Sequence, residues 1–146
     1  MSGITNPAER YFKDGLWTFD GTVWRPQSQM FGVRTRYAEV KSTGAATVGL
    51  NTFNTTAVPA GIIQVVTAAT WVNWSHACGP VIFSLIAGAV QPMLNMQPTV
   101  AAGVTGAFVG WIVMTAGDLL RVEMYNCTLN DGIACSFAGF QFKSAE

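Results

Sequence analysis

The chain has 146 residues, half of them hydrophobic and 11% charged, and its eight basic side chains balance eight acidic ones. That length makes one domain of ordinary size, able to fold without a metal or a disulfide, and the lack of net positive charge argues against a direct nucleic-acid binder with its broad basic field. The charge deficit, against a usual fraction of about 25%, is concentrated in residues 42–117, a run of 76 without one Asp, Glu, Lys or Arg.

Charged side chains are the normal material of a solvated surface, so such a block must face a membrane, a core or identical neighbours. A spanning helix needs about 20 mostly apolar residues. Residues 80–90 are too few, and residues 100–117 carry Gly103, Thr105, Gly106, Gly110 and Thr115, a poor helix composition rich in β-branched and aromatic neighbours. The expectation is a β-rich domain with no membrane partner, its exterior partly covered by other copies. Residues 1–41 hold six of the eight bases against four acids (+2), and residues 118–146 hold four acids against two bases (−2). Opposite ends of opposite sign favour a head-to-tail contact between copies, or simply solvate two faces. The start lacks a basic segment followed by an apolar one, so synthesis in a cytoplasm is expected.

Residues 1–13 show neither a period of 2 nor a helical stripe, and read as an extended arm ahead of a single domain at residues 14–146. Ile4, Tyr11 and Phe12 are costly to leave in water, so the arm should lie along a surface, its own or a neighbour's. Next comes the strongest local signal, residues 15–25, where Asp20-Gly21 suits the positive φ angles of a two-residue hairpin turn. With that turn Phe19 faces Thr22 and Trp17 faces Trp24, a cross-strand aromatic pair that pins register, packs on a core or offers a sugar-stacking platform.

Residues 30–40 alternate as a half-exposed strand with Arg34 and Arg36 on one face, and residues 45–53 read as a weaker strand ended by Asn54 and the Pro59-Ala60-Gly61 turn. Residues 62–74, apolar on both faces, fit a central strand with Trp71 and Trp74 on opposite sides. His76, the one histidine, follows in a loop. Residues 81–87 and 108–115 are further strands, with Gln91-Pro92, Gln97-Pro98 and residues 101–103 breaking the chain between them. Residues 119–125 alternate cleanly, Leu120, Val122 and Met124 inward against Arg121, Glu123 and Tyr125 outward. The last strand spans residues 133–143 after Asn130-Asp131-Gly132. A three-residue loop there would set Cys127 opposite Cys135, within reach of a disulfide, while an odd cysteine count without CxxC spacing equally fits buried free thiols.

Eight or nine short strands with Gly, Pro and Asn at the joints predict an all-β antiparallel sandwich of the jelly-roll kind. No catalytic constellation is visible. A single histidine nominates no triad, there is no GxSxG, Walker, GxGxxG, HExxH or EF-hand pattern, and His76 with three cysteines fits no usual zinc spacing. No catalytic residue, cofactor or metal is expected. The Asn-x-Ser/Thr triplets at Asn54, Asn73 and Asn126 arise easily by chance in so Thr- and Asn-rich a chain.

Three stretches carry a resemblance: residues 6–12 (Asn-Pro-Ala-Glu-Arg-Tyr-Phe), the glycine- and tryptophan-spaced residues 15–25, and Ala116-Gly117-Asp118 followed by Leu120-Arg121-Val122 and Tyr125-Asn126. Over about a quarter of its length the sequence resembles the small jelly-roll virion proteins of tailed bacteriophages, including head decoration or cement proteins. Similar sandwich heads occur in phage fibres and in trimeric TNF- and C1q-like modules. The resemblance implies a homotrimer on the capsid surface that covers and bridges subunits of the major capsid protein or other virion proteins. Its contact residues would include Ile4, Arg10, Tyr11, Phe12, Trp17 and Trp24. The competing expectation is a trimeric fibre head that binds a receptor or glycan.

Overall fold

The computed structural model describes residues 9–12, 15–19, 24–26 and 35–143. Among these there are eleven strands and no helix. Strands β1 (Glu9–Phe12), β2 (Gly15–Phe19) and β3 (Trp24–Pro26) form a three-stranded antiparallel sheet in that order. The rest are β4 (Thr35–Thr43), β5 (Gly49–Asn54), β6 (Ile62–Asn73), β7 (Val81–Ile86), β8 (Met93–Gln97), β9 (Thr105–Met114), β10 (Leu119–Cys127) and β11 (Ile133–Lys143).

These eight make two four-stranded antiparallel sheets, ordered β4-β11-β6-β9 and β5-β10-β7-β8. Apart from the β7–β8 hairpin, every connection carries the chain from one sheet to the other, so the first and last strands of the sandwich end as neighbours. This is the jelly-roll order. Strand patterning follows from alternation: Leu120, Val122 and Met124 are completely buried, and Arg121, Glu123 and Tyr125 between them are partly exposed. The two inner faces meet in an aromatic cluster, where Phe83 of β7 takes Phe108, Trp71 and Phe137 of the opposite sheet at ring-centroid distances of 5.2, 5.8 and 6.3 Å. The Trp71 indole N–H is satisfied by Gln97 Oε1 at 2.7 Å. Gly106 makes room for that bond, since a Cβ there would overlap both the indole nitrogen and the glutamine oxygen.

Four details differ from the sequence reading. Residues 9–12, read as part of an arm lying along a surface, are a strand of a small sheet, paired with β2 from Glu9↔Thr18 to Phe12↔Gly15, a ladder that suits aromatic residues; the rest of the arm lies outside the described residues. The β2–β3 register is Phe19↔Trp24 and Trp17↔Pro26. Trp17 and Trp24 are therefore not cross-strand partners, and the expected Asp20-Gly21 turn itself lies outside the described residues. Residues 93–97, read as part of a broken stretch, form β8, an edge strand between Pro92 and Pro98, where prolines are tolerated. Finally, β10 and β11 do not form a hairpin. Cys127 stands opposite Gly49, and Cys135 opposite Lys41 and Trp71 in the other sheet, because the loop between them crosses the sandwich. All three cysteines are free and buried.

Candidate functional site

The two outer faces of the sandwich differ in chemistry. On the β5-β10-β7-β8 sheet, β10 turns Arg121 and Glu123 outward, and the Arg121 guanidinium donates to Asn54 Oδ1 at 3.0 Å. The β4-β11-β6-β9 sheet presents almost no charge.

Its register defines the rows of that second face. Across the four strands run Arg36–Phe140–Val65–Val113, then Ala38–Ala138–Ala68–Val109, then Val40–Ser136–Thr70–Ala107, then Ser42–Ala134–Val72–Thr105. Arg36 is the single charge among these sixteen positions. The hydroxyls of Thr70 and Ser136 satisfy each other at 2.7 Å, so even the polar centre offers little to water. The small second row makes a low floor, bordered by large side chains. Val109, Trp111 and Val113 of β9 are 83%, 72% and 61% exposed. Trp111 meets Phe140 edge-on at 5.8 Å, and Phe140 stacks on Phe142 at 6.4 Å. A contiguous apolar sheet face of this kind is unusual on a free monomer. The sequence reading placed a strand at residues 108–115 without assigning its outer face; the signal available was that both alternating sets, Phe108/Ile112/Met114 and Val109/Trp111/Val113, are apolar.

A second feature lies at one end of the sandwich, where the β6–β7 and β10–β11 loops meet. Asp131 is completely buried. It accepts hydrogen bonds from Asn73 Nδ2 at 2.7 Å, His76 Nδ1 at 2.5 Å and the Thr128 N–H at 2.9 Å. Burial pushes its carboxyl pKa up, but the bonds from His76, Asn73 and Thr128 outweigh it and hold the pKa below the usual carboxylate range. An ionised carboxylate only accepts, so Nδ1 of His76 donates to it, and the His76 side chain is 59% exposed. Asn73 Oδ1 accepts from the N–H groups of Ser75 and His76, and Ser75 Oγ from the Gly132 N–H at 3.0 Å. The cluster thus ties one loop to the other, a pairing across 55 residues that no sequence spacing announces. Among the described residues no group of three or more His, Cys, Asp or Glu could share a metal ion, and no helix is long and apolar enough to cross a membrane.

Of the contact residues expected from the sequence, Ile4 and the side chains of Arg10, Tyr11, Phe12, Trp17 and Trp24 lie outside the described residues; the backbones of the last five are in β1, β2 and β3.

No protein-family model matches the chain, and no curated protein sequence matches it. Among solved structures it is similar to dimeric latent PorU from Porphyromonas gingivalis, with 12% identity and a TM-score of 0.30 over 74% of this chain and 13% of that one. It is also similar to chains of infectious bursal disease virus. The Gx strain gives 7% identity and a TM-score of 0.35 over 94% of this chain, the Gt strain 8% and 0.31 over 92%. The chain spans 50% and 48% of the length of those two viral chains.

Proposed function

We propose that this protein is a non-enzymatic structural virion protein, a homotrimeric decoration or cement subunit that stabilises a phage head by covering and bridging capsid subunits. The observation that carries the reading is the nearly uncharged outer face of the β4-β11-β6-β9 sheet. Burying side chains such as Val109, Trp111 and Val113 is worth about 1.5–3 kcal/mol each. Association costs on the order of 4–15 kcal/mol in lost freedom, a cost of the same size as those three side chains together supply, so a stable contact has to engage more of the four-stranded face. Identical copies meet that requirement, since each brings a face with one charge in sixteen positions and no desolvated acid is forced on its neighbour. The number of copies rests on the resemblance to the phage proteins. The His76–Asp131 cluster fits this reading as a loop clamp, its carboxylate consumed in holding two connections together.

The test has two parts. Light scattering of the purified protein should give the mass of three chains at micromolar concentration, and the protein should co-sediment with undecorated phage heads. A monomer that does not self-associate would overturn the assembly, and a trimer that ignores heads would overturn the decoration role.

A trimeric glycan- or receptor-binding head is the second reading. Trp74 favours it, being 58% exposed beside Gly132 at the loop end, where a ring could stack on a sugar. Binding on a glycan array that is lost in Trp74→Ala would establish it.

A further inference from the structure

We infer that Cys78 and Cys127 form a redox site: in the folded protein these two thiols close to a disulfide on exposure to a small-molecule disulfide, while Cys135 stays free. The inference is independent of the role proposed above.

The geometry comes from the continuation of the β7–β10 ladder. The paired register of β7 and β10 ends at Val81↔Met124. Beyond it the Tyr125 N–H donates to Pro80 O at 3.0 Å, the Gly79 N–H to Tyr125 O at 2.7 Å, and Asn126 Nδ2 to Gly79 O at 2.6 Å. Asn126 adopts a left-handed conformation, φ 56°, which takes up the extra residue that shifts the register of β10 against β5. The next residue on each segment is a cysteine. Both belong to the same buried core cluster, and each thiol is near enough to perturb the pKa of the other; at present the Cys127 S–H donates to Met124 O at 3.5 Å, and Cys78 bridges Val100 on its other side. Residues facing each other across antiparallel segments have Cα atoms about 4.5–5.5 Å apart, inside the range a disulfide spans. Cys135 lies on β11 in the other sheet, between Lys41 and Trp71.

Closure proceeds by two thiol–disulfide exchanges. One protein thiolate attacks a sulfur of R–S–S–R, forming a mixed disulfide and releasing R–SH; the second protein thiol then displaces the remaining R–SH. The protein gives up two protons and two electrons, and the reagent becomes two thiols. Burial pushes Cys127 up to about 11 and Cys78 upward too, and the Asp131 carboxylate adds to both. Little thiolate exists near neutrality, so closure is slow and requires local opening. The bond would tie the β6–β7 connection to the end of β10 and close a loop of about 50 residues.

The experiment incubates the folded protein with excess oxidised glutathione, alkylates it under denaturing conditions and maps the non-reduced peptides. The expected result is one alkylated cysteine, Cys135, and a linked peptide pair containing Cys78 and Cys127. The melting temperature should rise by roughly 5–10 °C and fall back on reduction. Cys135→Ser should still form the link; Cys78→Ser and Cys127→Ser should not. Three alkylated cysteines after the same exposure in urea just below the unfolding transition, where buried thiols open, would overturn the site. So would glutathione retained on both Cys78 and Cys127, or a link that includes Cys135.

Discussion

Trp111 of β9 and Phe140 of β11 meet edge to face at 5.8 Å on the outer side of the sheet, although β6 separates their strands. Aromatic pairs of this geometry contribute about 0.5–1.5 kcal/mol beyond the area they bury, yet Trp111 remains 72% exposed. The pair orders this surface without covering it.

Val109→Lys separates assembly from folding. Val109 is 83% exposed, so the substitution should leave the stability of one subunit within about 0.5 kcal/mol. Desolvating an unpaired ammonium against a neighbour's apolar face should break the assembly. Light scattering and thermal melting at low concentration check both halves. A trimeric mass in this variant would move the proposed subunit contact to another surface.

Local chemistry makes much of this fold readable from the sequence. β10 and β11 are bounded by turn residues and carry clean alternation, and the buried trio Leu120, Val122 and Met124 is the one that alternation selects. Long-range pairing is another matter. Nothing near Cys127 states that its neighbour is Cys78 and not Cys135, because that depends on the chain crossing between sheets after β10. His76 and Asp131 meet for the same topological reason. The apolar outer face was legible only as a charge deficit over residues 42–117; which half of that apolar chain turns outward is settled by the register of β6, β9 and β11.

Phe83→Ala should be the most damaging single core truncation. Its ring is completely buried and contacts Trp71, Phe108 and Phe137, which all come from the opposite sheet. Losing a buried aromatic side chain costs about 3–5 kcal/mol. Urea unfolding should show that loss, whereas Phe142→Ala on the outer face should cost far less in the monomer.

Gly106→Ala tests close packing with one methyl group. The added Cβ would occupy the place of the Trp71 Nε1–Gln97 Oε1 hydrogen bond, so either the indole moves or the bond breaks, leaving a buried donor unpaired. A loss of about 2–4 kcal/mol is expected. Gly103→Ala is not a suitable control, since its φ of 71° adds backbone strain; Gly44→Ala, with open space around the new methyl, is.

Acid should weaken the sandwich through two carboxylates. Burial raises the pKa of Asp131, but its bonds from His76, Asn73 and Thr128 prevail and hold it low. Glu39 behaves alike, burial being outweighed by Lys41 at 2.7 Å, Tyr37 Oη at 2.8 Å and the N–H of Thr56 at 3.0 Å. A group whose folded pKa lies below its unfolded value binds protons more readily when unfolded. Its contribution is therefore complete above the unfolded pKa, about 4 for these side chains, and is lost as pH falls through the folded pKa. Stability measured by urea unfolding should be flat in this respect above about pH 5 and decline steadily below pH 4. Asp131→Asn keeps the size and one acceptor oxygen but turns an amide N–H₂ toward donors; it should remove much of the acid-dependent slope and cost about 2–3 kcal/mol at neutral pH. Glu39→Gln, at a partly exposed site, should flatten the slope less. An unchanged acid slope in Asp131→Asn would mean that the carboxylate does not carry this dependence and that the loop clamp is held by its backbone bonds alone.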